Sequence, residues 1–396
     1  MIPVDEAVAR IAAAFRPLAS ESVAVGNAAG RVLAEDAVAK SSQPPAPVSS
    51  MDGYAVRASD VPKSGASLTV IGSSPAGHPF ERAITSGDAV RIFTGGVVPE
   101  GADAIIIQED ADTDGNRVTF REAAKAGQHI RAAGLDFKAG EALAKAGQRL
   151  TARDLSLIAA GDVARVPVRR KPRVIFAATG DELSMPGAPR KPGGIVASSG
   201  YALAAMIERW GGDAVDLGIL PDTADAVASI ADKTANADLI VTLGGASVGD
   251  HDLVQKAMGP RGFTLDFWKI AMRPGKPLIF GKLGPTPLLG LPGNPVSTLV
   301  CAMLFLRPAI TAMLGVEEPA PIVTAKLGAK LKENDGRQDY LRAKVEVKDG
   351  ERIATAFTVQ DSSMLSVLAR ADGLIIRAPR APLARAGEAV PVLMLE

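Results

Sequence analysis

The chain has 396 residues, which predicts two or three domains of ordinary size or four small ones. Forty-four Lys and Arg residues balance 44 Asp and Glu residues, and there are only two Trp and three Tyr residues. This composition excludes a generally basic, base-stacking nucleic-acid binder, so we expect no nucleic-acid partner.

Cysteine and histidine are too scarce for most metal centres. The single cysteine, Cys301, excludes a disulfide framework, a structural zinc site and an iron–sulfur cluster, and three scattered histidines argue against a transition-metal site. Any metal is therefore expected to be a hard cation held by carboxylates, above all Mg2+. The acidic N-terminus is unlike a signal peptide, and the apolar run 296–306 is too short to span a bilayer, so we expect a cytoplasmic protein without a membrane partner.

The first 172 residues divide into a helical start, a β-rich middle and a connecting region. Apolar spacing predicts a helix over residues 3–17 and an Ala-rich helix near 26–34. Short β-type runs separated by Gly and Pro predict a small all-β domain over 41–138. Residues 139–172 form a connection that ends in a cluster of bases, for which the default interpretation is a solvated face and the alternative is anion binding.

From residue 173 strands alternate with helices, which favours a doubly wound, mostly parallel α/β sheet covered on both faces. Strands are predicted over 173–178, 214–220, 238–245, 264–270, 277–281 and 287–291. Helices are predicted over 199–210, from an Asp222 cap to about 235, from about Asp252, and from Pro295 to about Met313. Residues 320–396 return to period two and predict a C-terminal β barrel or sandwich.

Four of the predicted strands end in loops that carry glycines, acids or bases. The loops cover 179–183, 244–252, 272–277 and 292–297. Ligands of open α/β sheets bind beyond the carboxyl ends of the strands, Gly-rich loops that enter helices bind phosphate, and carboxylates suit Mg2+. The residues alone therefore predict a multidomain protein that binds or transforms a phosphorylated small molecule with Mg2+.

Each of these features also has a purely structural interpretation. A single Gly-rich loop is most often a tight turn, and Asp181 and Glu182 before a helix are more often capping residues than catalysts. His251 is a candidate general base, although a histidine in a polar loop is more often solvated. Asp52 and Thr94 lie in turn-like sequence of the β domain, for which a turn is the default interpretation.

Eight blocks of the sequence resemble the MoeA family of molybdopterin molybdenumtransferases, which is related to the gephyrin E domain. They are SSMDGYAVR (49–57), RIFTGGVVPEGADAIIIQE (91–109), ATGDEL (178–183), GGASVGDHD (244–252), WKIAMRPGKP (268–277), GLPGNPVS (290–297), GRQDYLRA (336–343) and SSMLSVLARADGL (362–374). The blocks keep the family's order and span essentially the whole chain, so the resemblance is highly specific.

The resemblance implies a four-domain architecture. It comprises a discontinuous linker-like domain (1–40 and 139–172), an inserted β domain carrying MDGYA (41–138), an α/β molybdopterin-binding domain (173–319) and a C-terminal β barrel (320–396). It also implies an elongated homodimer with active sites between subunits, where the α/β domain of one protomer faces the MDGYA-bearing domain of the other.

The resemblance further implies molybdenum insertion, with adenylylated molybdopterin and molybdate as substrates, Mg2+ as cofactor and AMP as product. The catalytic candidates that it transfers are Asp52, Thr94, Asp136, Glu182, Asp252, Lys269, Arg273 and Lys276. Those for binding molybdopterin are Thr179, Gly180, Asp181, Gly244, Gly245, Ser247, Gly249, Pro292, Gly293, Asn294, Pro295, Ser297, Arg337 and Ser362. Those for Mg2+ are Glu182, Asp222, Asp225 and Asp252.

Other functions stay open for this sequence. A related α/β enzyme adenylylates molybdopterin, although the flanking β domains argue against that activity here. A structural scaffold and a carrier that delivers finished cofactor without chemistry are further alternatives. For the molybdenumtransferase, a molybdopterin adenylyltransferase and recipient molybdoenzymes are candidate partners besides the second copy of the chain.

Overall fold

The computed structural model describes residues 1–234, 236–244 and 257–395. The chain forms two compact units: the first consists of Met1–Glu21, Gly30–Ala34 and Arg169–Glu396, and the second of Ser22–Ala29 and Glu35–Val168. The boundaries of the four predicted domains stay a prediction.

A six-stranded sheet forms the main part of the second unit. Its strands lie in the order Ala104–Ile107, Gly53–Val56, Asp88–Ile92, Ser67–Ser74, Arg117–Phe120 and Ala111–Asp114. One neighbouring pair is parallel and the others are antiparallel. Outside this sheet are strands Ala37–Val38, Val48–Ser49, Ile130–Arg131 and Ala142–Ala144, helix Ala152–Ala160, and strands Ser20–Ala24 and Arg165–Arg169 near the unit boundary. The small β domain is therefore confirmed.

The Ala-rich segment near 26–34 does not form the predicted α-helix. A 3-10 turn covers Val25–Asn27, and the chain then turns through Gly30 with a φ of +71°. The prediction was wrong because alanine content was given more weight than Gly26, Asn27 and Gly30, which favour turns over helix. The N-terminal helix is present as Val4–Ala13.

The first unit contains the predicted α/β sheet. The strand order is Asp213–Leu220, Arg173–Thr179, Leu239–Leu243, Thr286–Leu291, Ile279–Leu283 and Phe263–Trp268. The first four strands are parallel, whereas the fifth is antiparallel to both of its neighbours. The sixth strand therefore runs in the same direction as the first four, and the loop after it emerges at their carboxyl edge.

Both faces of this sheet are covered by apolar side chains. Val241 and Leu289 belong to a core shared with helices Val4–Ala13, Ser199–Arg209 and Pro295–Leu314. Ile240 and Leu288 project into a second core with residues of helix Ala224–Ala228. Because successive strand residues face opposite sides, the continuous apolar strands are explained by burial on both faces. The doubly wound α/β fold is confirmed.

Helix Pro295–Leu314 continues beyond the end of the apolar run that the sequence suggested. It consists of α-helix Pro295–Cys301, a π-helical turn Ala302–Leu306 and α-helix Arg307–Leu314. Among the residues that the structure describes, it is the one helix whose length and apolar composition would allow it to cross a membrane. That is weak evidence for a membrane span, because 67% of its most apolar window is buried, as in the core helix of a globular domain.

Five C-terminal strands close into a barrel. They are Ile322–Leu327, Gln338–Lys348, Glu351–Ala356, Gly373–Arg377 and Ala389–Met394, with helix Leu365–Arg370 inserted before the fourth. Closure follows because Gln338–Lys348 pairs with both Glu351–Ala356 and Gly373–Arg377. A two-residue strand from the α/β part, Met272–Arg273, adds to the barrel beside Gln338–Lys348. Of the two predicted alternatives, the barrel is confirmed.

Candidate active site

Three strand ends meet at the carboxyl edge of the central sheet. A Cβ atom on Gly244 would lie 2.8 Å from the Thr179 carbonyl oxygen, and the φ of +95° at this position also favours glycine. A Cβ atom on Gly293 would lie 3.6 Å from the Gly244 Cα atom. The Thr179 hydroxyl is buried and makes no hydrogen bond within the described residues. The three loops thus form a tightly packed floor of backbone and small side chains.

The acidic residues at this edge come together. Asp181 and Asp222 each accept a long hydrogen bond, of 3.4 Å, from the backbone N–H of the other. Glu182 folds back over Gly180, whose Cβ, if present, would lie 2.7 Å from Glu182 Oε2. The structure therefore brings Asp181 and Asp222 together at one rim, and Glu182 follows Asp181 directly in the chain. Carboxylate oxygens are the ligands that a hard cation prefers.

Asp225 lies further along the chain, exposed in the first turn of helix Ala224–Ala228. The prediction that Asp222 caps this helix was wrong. Thr223 has the extended backbone of an N-cap, and its side chain accepts a hydrogen bond of 3.3 Å from the Ala226 N–H. The α-helix ends at Ala228, before the predicted end.

The N-terminus of helix Pro295–Leu314 is covered by a loop of the barrel. The Val296 N–H donates to the Ser362 carbonyl oxygen at 3.1 Å, and the Asn294 side-chain amide donates to the Ser362 hydroxyl at 2.9 Å. Pro295 occupies the first turn, as predicted, and Ser297 is buried. Contact between Asn294 and Ser362 thus joins two of the predicted site residues, but the helix has already used one of its free N–H groups.

The three predicted basic residues, Lys269, Arg273 and Lys276, lie in the segment Lys269 to Lys276 after the sixth strand, which we call the cation loop. Lys269 has a left-handed backbone with a φ of +71°, which is uncommon for a residue with a side chain, and its Nζ atom lies 3.5 Å from the centroid of the Trp268 ring. Lys276 is exposed, and its carbonyl oxygen accepts from the Ile270 N–H at 2.9 Å. These two lysines form no ion pair within the described part of the chain.

Arg273, in contrast, contacts carboxylates of the barrel that sequence reasoning missed. Its guanidinium donates to Asp339, and it lies 3.5 Å from Asp335. Arg337 pairs with Asp335 at 2.8 Å, and the Arg337 side chain and backbone N–H lower the pKa of Asp335 to about 2. The sequence signal was the two Asp residues on either side of Arg337 in DGRQDY (335–340), and it does not show that Arg273 is close.

In the second unit Asp52 and Thr94 form a pair although 42 positions separate them. Asp52 Oδ1 accepts from the Thr94 N–H and from the Thr94 hydroxyl, each at 2.8 Å. These bonds, and more weakly the charge of Arg91, lower the pKa of Asp52. Asp136 is exposed in the same unit, where its N–H donates to the Gln43 carbonyl oxygen at 2.9 Å.

Part of the predicted site lies outside the described residues. These candidates are Gly245, Ser247, Gly249 and Asp252, together with His251 and the predicted start of the helix near Asp252.

Three family models match the chain in order along its length. They are the MoeA N-terminal region (domain I and II) over residues 2–161, the probable molybdopterin binding domain over 176–312, and the MoeA C-terminal region (domain IV) over 324–395. Fold and site therefore define a multidomain protein built around a molybdopterin-binding α/β domain.

Individual relatives agree over nearly the full length. The molybdopterin molybdenumtransferase of Haemophilus influenzae is 35% identical over 382 residues, covering 95% of this chain and 94% of that protein. Molybdopterin molybdenumtransferase 2 of Mycobacterium tuberculosis is 37% identical over 379 residues, covering 93% and 92%. The crystal structure of the molybdopterin biosynthesis MoeA protein from Pyrococcus horikosii has a TM-score of 0.88 at 30% identity, covering 100% of this chain and 99% of that one. The chain belongs to the MoeA family.

Proposed function

We propose that the chain is a molybdopterin molybdenumtransferase that inserts molybdenum from molybdate into adenylylated molybdopterin and releases AMP. The observation that carries the proposal is the chemistry at one edge of one sheet. The acidic rim at Asp181 and Asp222 and the cation loop from Lys269 to Lys276 both follow strands whose carboxyl ends lie at this edge. Family membership gives that edge its substrate class.

The reaction requires two anions to approach each other. Two unit charges 4 Å apart repel by about 4 kcal/mol at an effective dielectric constant of 20. Fixed cations and backbone N–H groups offset such repulsion without reorganising during the reaction. Lys269, Arg273 and Lys276 are the residues that we assign to this role, with phosphate or molybdate as their ligand.

The acidic rim fits Mg2+ in one particular mode. Among residues 1–234, 236–244 and 257–395, no group of three His, Cys, Asp or Glu side chains is arranged to hold a metal. Mg2+ commonly binds through one or two carboxylates and the phosphates of its substrate, and Glu182 and Asp222 supply carboxylates of that kind. When bound there, Mg2+ would offset the negative charge of the substrate phosphates. Asp225 and Asp252 stay further candidates for the same role.

The direct test is release of AMP from adenylylated molybdopterin with Mg2+, in the presence and absence of molybdate, coupled to reactivation of a cofactor-free molybdoenzyme. We expect molybdate-dependent release that is lost in Glu182→Gln. Glu208→Gln, in the exposed last turn of helix Ser199–Arg209, is the matched control and should match the wild type. Tight binding without AMP release would indicate a carrier, and pyrophosphate release from ATP without molybdate would indicate an adenylyltransferase.

The family resemblance also supports a homodimer with composite active sites. In that arrangement Asp52, Thr94 and Asp136 of one protomer act with the α/β domain of the other. Mixing Asp52→Asn and Glu182→Gln proteins under conditions of subunit exchange tests it. Random reassortment puts half of the protein in heterodimers with one intact site of two, so about a quarter of wild-type activity should return. If each site belongs to a single protomer, mixing restores nothing.

A groove in the first unit supports association of two copies. Its volume is about 800 Å3, and its lining includes the apolar side chains of Met303, Leu304, Ile376 and Leu395. These four side chains are partly exposed, and Ile322, which also lines the groove, is 52% exposed. Exposed apolar patches of this kind usually mark interaction sites. Met303→Glu should therefore shift the protein towards monomer in light scattering, whereas an unchanged mass would show that the interface lies elsewhere.

We further propose a soluble, cytoplasmic enzyme that receives its substrate from a molybdopterin adenylyltransferase and supplies molybdoenzymes.

A further inference from the structure

The side chain of Arg273 is held by the barrel rather than by its own loop. The two-residue strand Met272–Arg273 runs parallel to the start of strand Gln338–Lys348, in a register that places Arg273 opposite Asp339. The Gln338 N–H donates to the Ala271 carbonyl oxygen at 2.8 Å, which extends the pairing by one residue. This pairing thus fixes the backbone of the cation loop to the barrel. Its register determines where the Arg273 side chain lies.

Asp339 is an unusual partner because it is almost completely buried. Its side chain is 5% exposed, and one carboxylate oxygen accepts from Arg273 while the other makes no hydrogen bond within the described residues. Burial raises the pKa of Asp339, and the hydrogen bond from Arg273 opposes that rise. A buried carboxylate with an unsatisfied oxygen is costly, so stability alone does not explain why it is placed there.

The remaining contacts of Arg273 fix the plane of its guanidinium. One terminal nitrogen lies 3.5 Å from Asp335 Oδ2, and the other lies 3.5 Å from Asn334 Oδ1 in addition to its bond to Asp339. Asn334 is itself anchored, because its amide donates to the carbonyl oxygens of Arg337, Arg377 and Ala378 at 2.7 to 3.2 Å. The Arg273 side chain is nevertheless 48% exposed, and its Nε–H makes no hydrogen bond within the described part of the chain.

We propose that Asp339 is a positioning residue, which holds the Arg273 guanidinium so that its exposed edge binds the anionic part of the substrate. This inference rests on the proposed function, because it takes Arg273 as a ligand of that anion. A planar guanidinium binds oxyanions through two parallel N–H donors, so its orientation determines whether both donors reach the anion. The competing interpretation is that Asp339 merely neutralises Arg273, and it predicts the opposite effect of removing the carboxylate charge.

The test compares Asp339→Asn, Arg273→Gln and the double variant with the wild type. Two quantities are measured: the dissociation constant of adenylylated molybdopterin without molybdate, and KM in the AMP-release assay. We expect Asp339→Asn to raise both by about tenfold, the loss for one weakened charged hydrogen bond. We expect no additional loss from Asp339→Asn when Arg273 is already Gln. Asp372→Asn is the matched control, because it removes another ion-paired barrel carboxylate, 2.9 Å from Lys344, and should leave both constants unchanged.

The possible results separate the interpretations. Tighter binding by Asp339→Asn would show that the carboxylate masks Arg273, and equal losses in Asp339→Asn and Asp372→Asn with lowered Tm would show a structural role; either overturns the inference. If the wild type turns over normally but Asp339→Asn and Arg273→Gln change the dissociation constant and KM independently, the inference is also overturned. The proposed function would then still stand. Coupled losses in the dissociation constant without any AMP release would support the inference and refute the molybdenumtransferase. Absence of wild-type binding would refute both.

Arg273→Lys provides a second route if Asp339→Asn does not fold. Lysine keeps the charge but lacks the fork that contacts both Asp339 and Asp335. If orientation matters, Arg273→Lys should weaken binding nearly as much as Arg273→Gln. Wild-type affinity in Arg273→Lys would instead show that charge alone is sufficient, which would overturn the inference.

Discussion

Gly275 lies in the cation loop, and its surroundings predict how a side chain at this position would change the stability of the protein. Its φ is +110°, and a Cβ atom would lie 2.4 Å from Cys301 Sγ and 3.1 Å from Met272 Cε. Cys301 is completely buried in helix Pro295–Leu314, within the apolar core of the first unit. We therefore expect Gly275→Ala to destabilise the first unit and to displace the backbone between Arg273 and Lys276.

Two costs add in Gly275→Ala. A side chain at this φ costs about 2 kcal/mol, and forcing a methyl group against a packed sulfur costs about 2 kcal/mol more. Removing the sulfur with Cys301→Ala eliminates the second cost but loses about 1 kcal/mol of burial. The double variant should therefore be less stable than the wild type by about 3 kcal/mol, compared with about 5 kcal/mol if the single effects added.

Urea unfolding of the four proteins measures this coupling, and AMP release measures the effect on the loop. Gly387→Ala is the control for backbone strain alone, because Gly387 has a φ of +86° and a Cβ atom there would extend into open space. We expect Gly275→Ala to lose activity and the double variant to regain part of it. Strictly additive unfolding free energies, or equal losses in Gly275→Ala and Gly387→Ala, would refute the steric argument.

Two further predictions concern the barrel. Asp335 has its pKa lowered from 3.8 to about 2, first by the Arg337 side chain, so its ionised form stabilises the fold above the ordinary carboxyl pKa and this contribution disappears as the pH falls from about 4 to about 2. Asp335→Asn should therefore lose less stability than the wild type over that pH range in urea unfolding, and parallel curves would contradict this. Arg342 is fully buried and donates to Gln360 Oε1 at 3.1 Å and to the Asp361 carbonyl oxygen at 2.7 Å. Arg342→Met should cost about 3 kcal/mol of unfolding free energy and lower AMP release by loosening the adjacent Ser362, whereas unchanged activity at reduced stability would limit Arg342 to a structural role.

The sequence contained enough information for the central sheet and for the edge at which its loops meet. Continuous apolar strands such as 238–243 are typical of burial on both faces, and parallel strands bring their carboxyl ends to one edge. Thr179, Gly244 and Gly293 could therefore be placed together from the pattern of strands alone. Asp52 and Thr94 were named as candidates through the family resemblance, but their contact was not predicted, because 42 positions separate the two residues and no local pattern connects them.

The contacts of the barrel could not be predicted in the same way. Asp339 contacts Arg273 only because a two-residue strand pairs with the barrel in one register, and no local pattern encodes a pairing across 66 positions. The prediction of a helix near 26–34 was wrong for a related reason. Alanine content is a weak signal for helix when glycines that favour turns lie in the same segment. Local signals thus identify strands and turns, whereas the partner of an exposed charge depends on tertiary pairing.

The order of the strands also determines how the two charged groups of the site act together. Asp181 and Glu182 follow the second strand of the sheet, and Arg273 follows the sixth, so four inter-strand spacings separate their strand ends. At about 4.8 Å per spacing this is about 19 Å, which is more than twice the Debye length of about 8 Å at physiological ionic strength. Over that distance the cation loop and the acidic rim do not neutralise each other directly, and the described carboxylates that pair with Arg273 are instead Asp335 and Asp339 of the barrel. A ligand that contacts both groups must extend along the edge of the sheet, past Gly244 and Gly293, and the substrate proposed above, an elongated nucleotide conjugate, has such a shape.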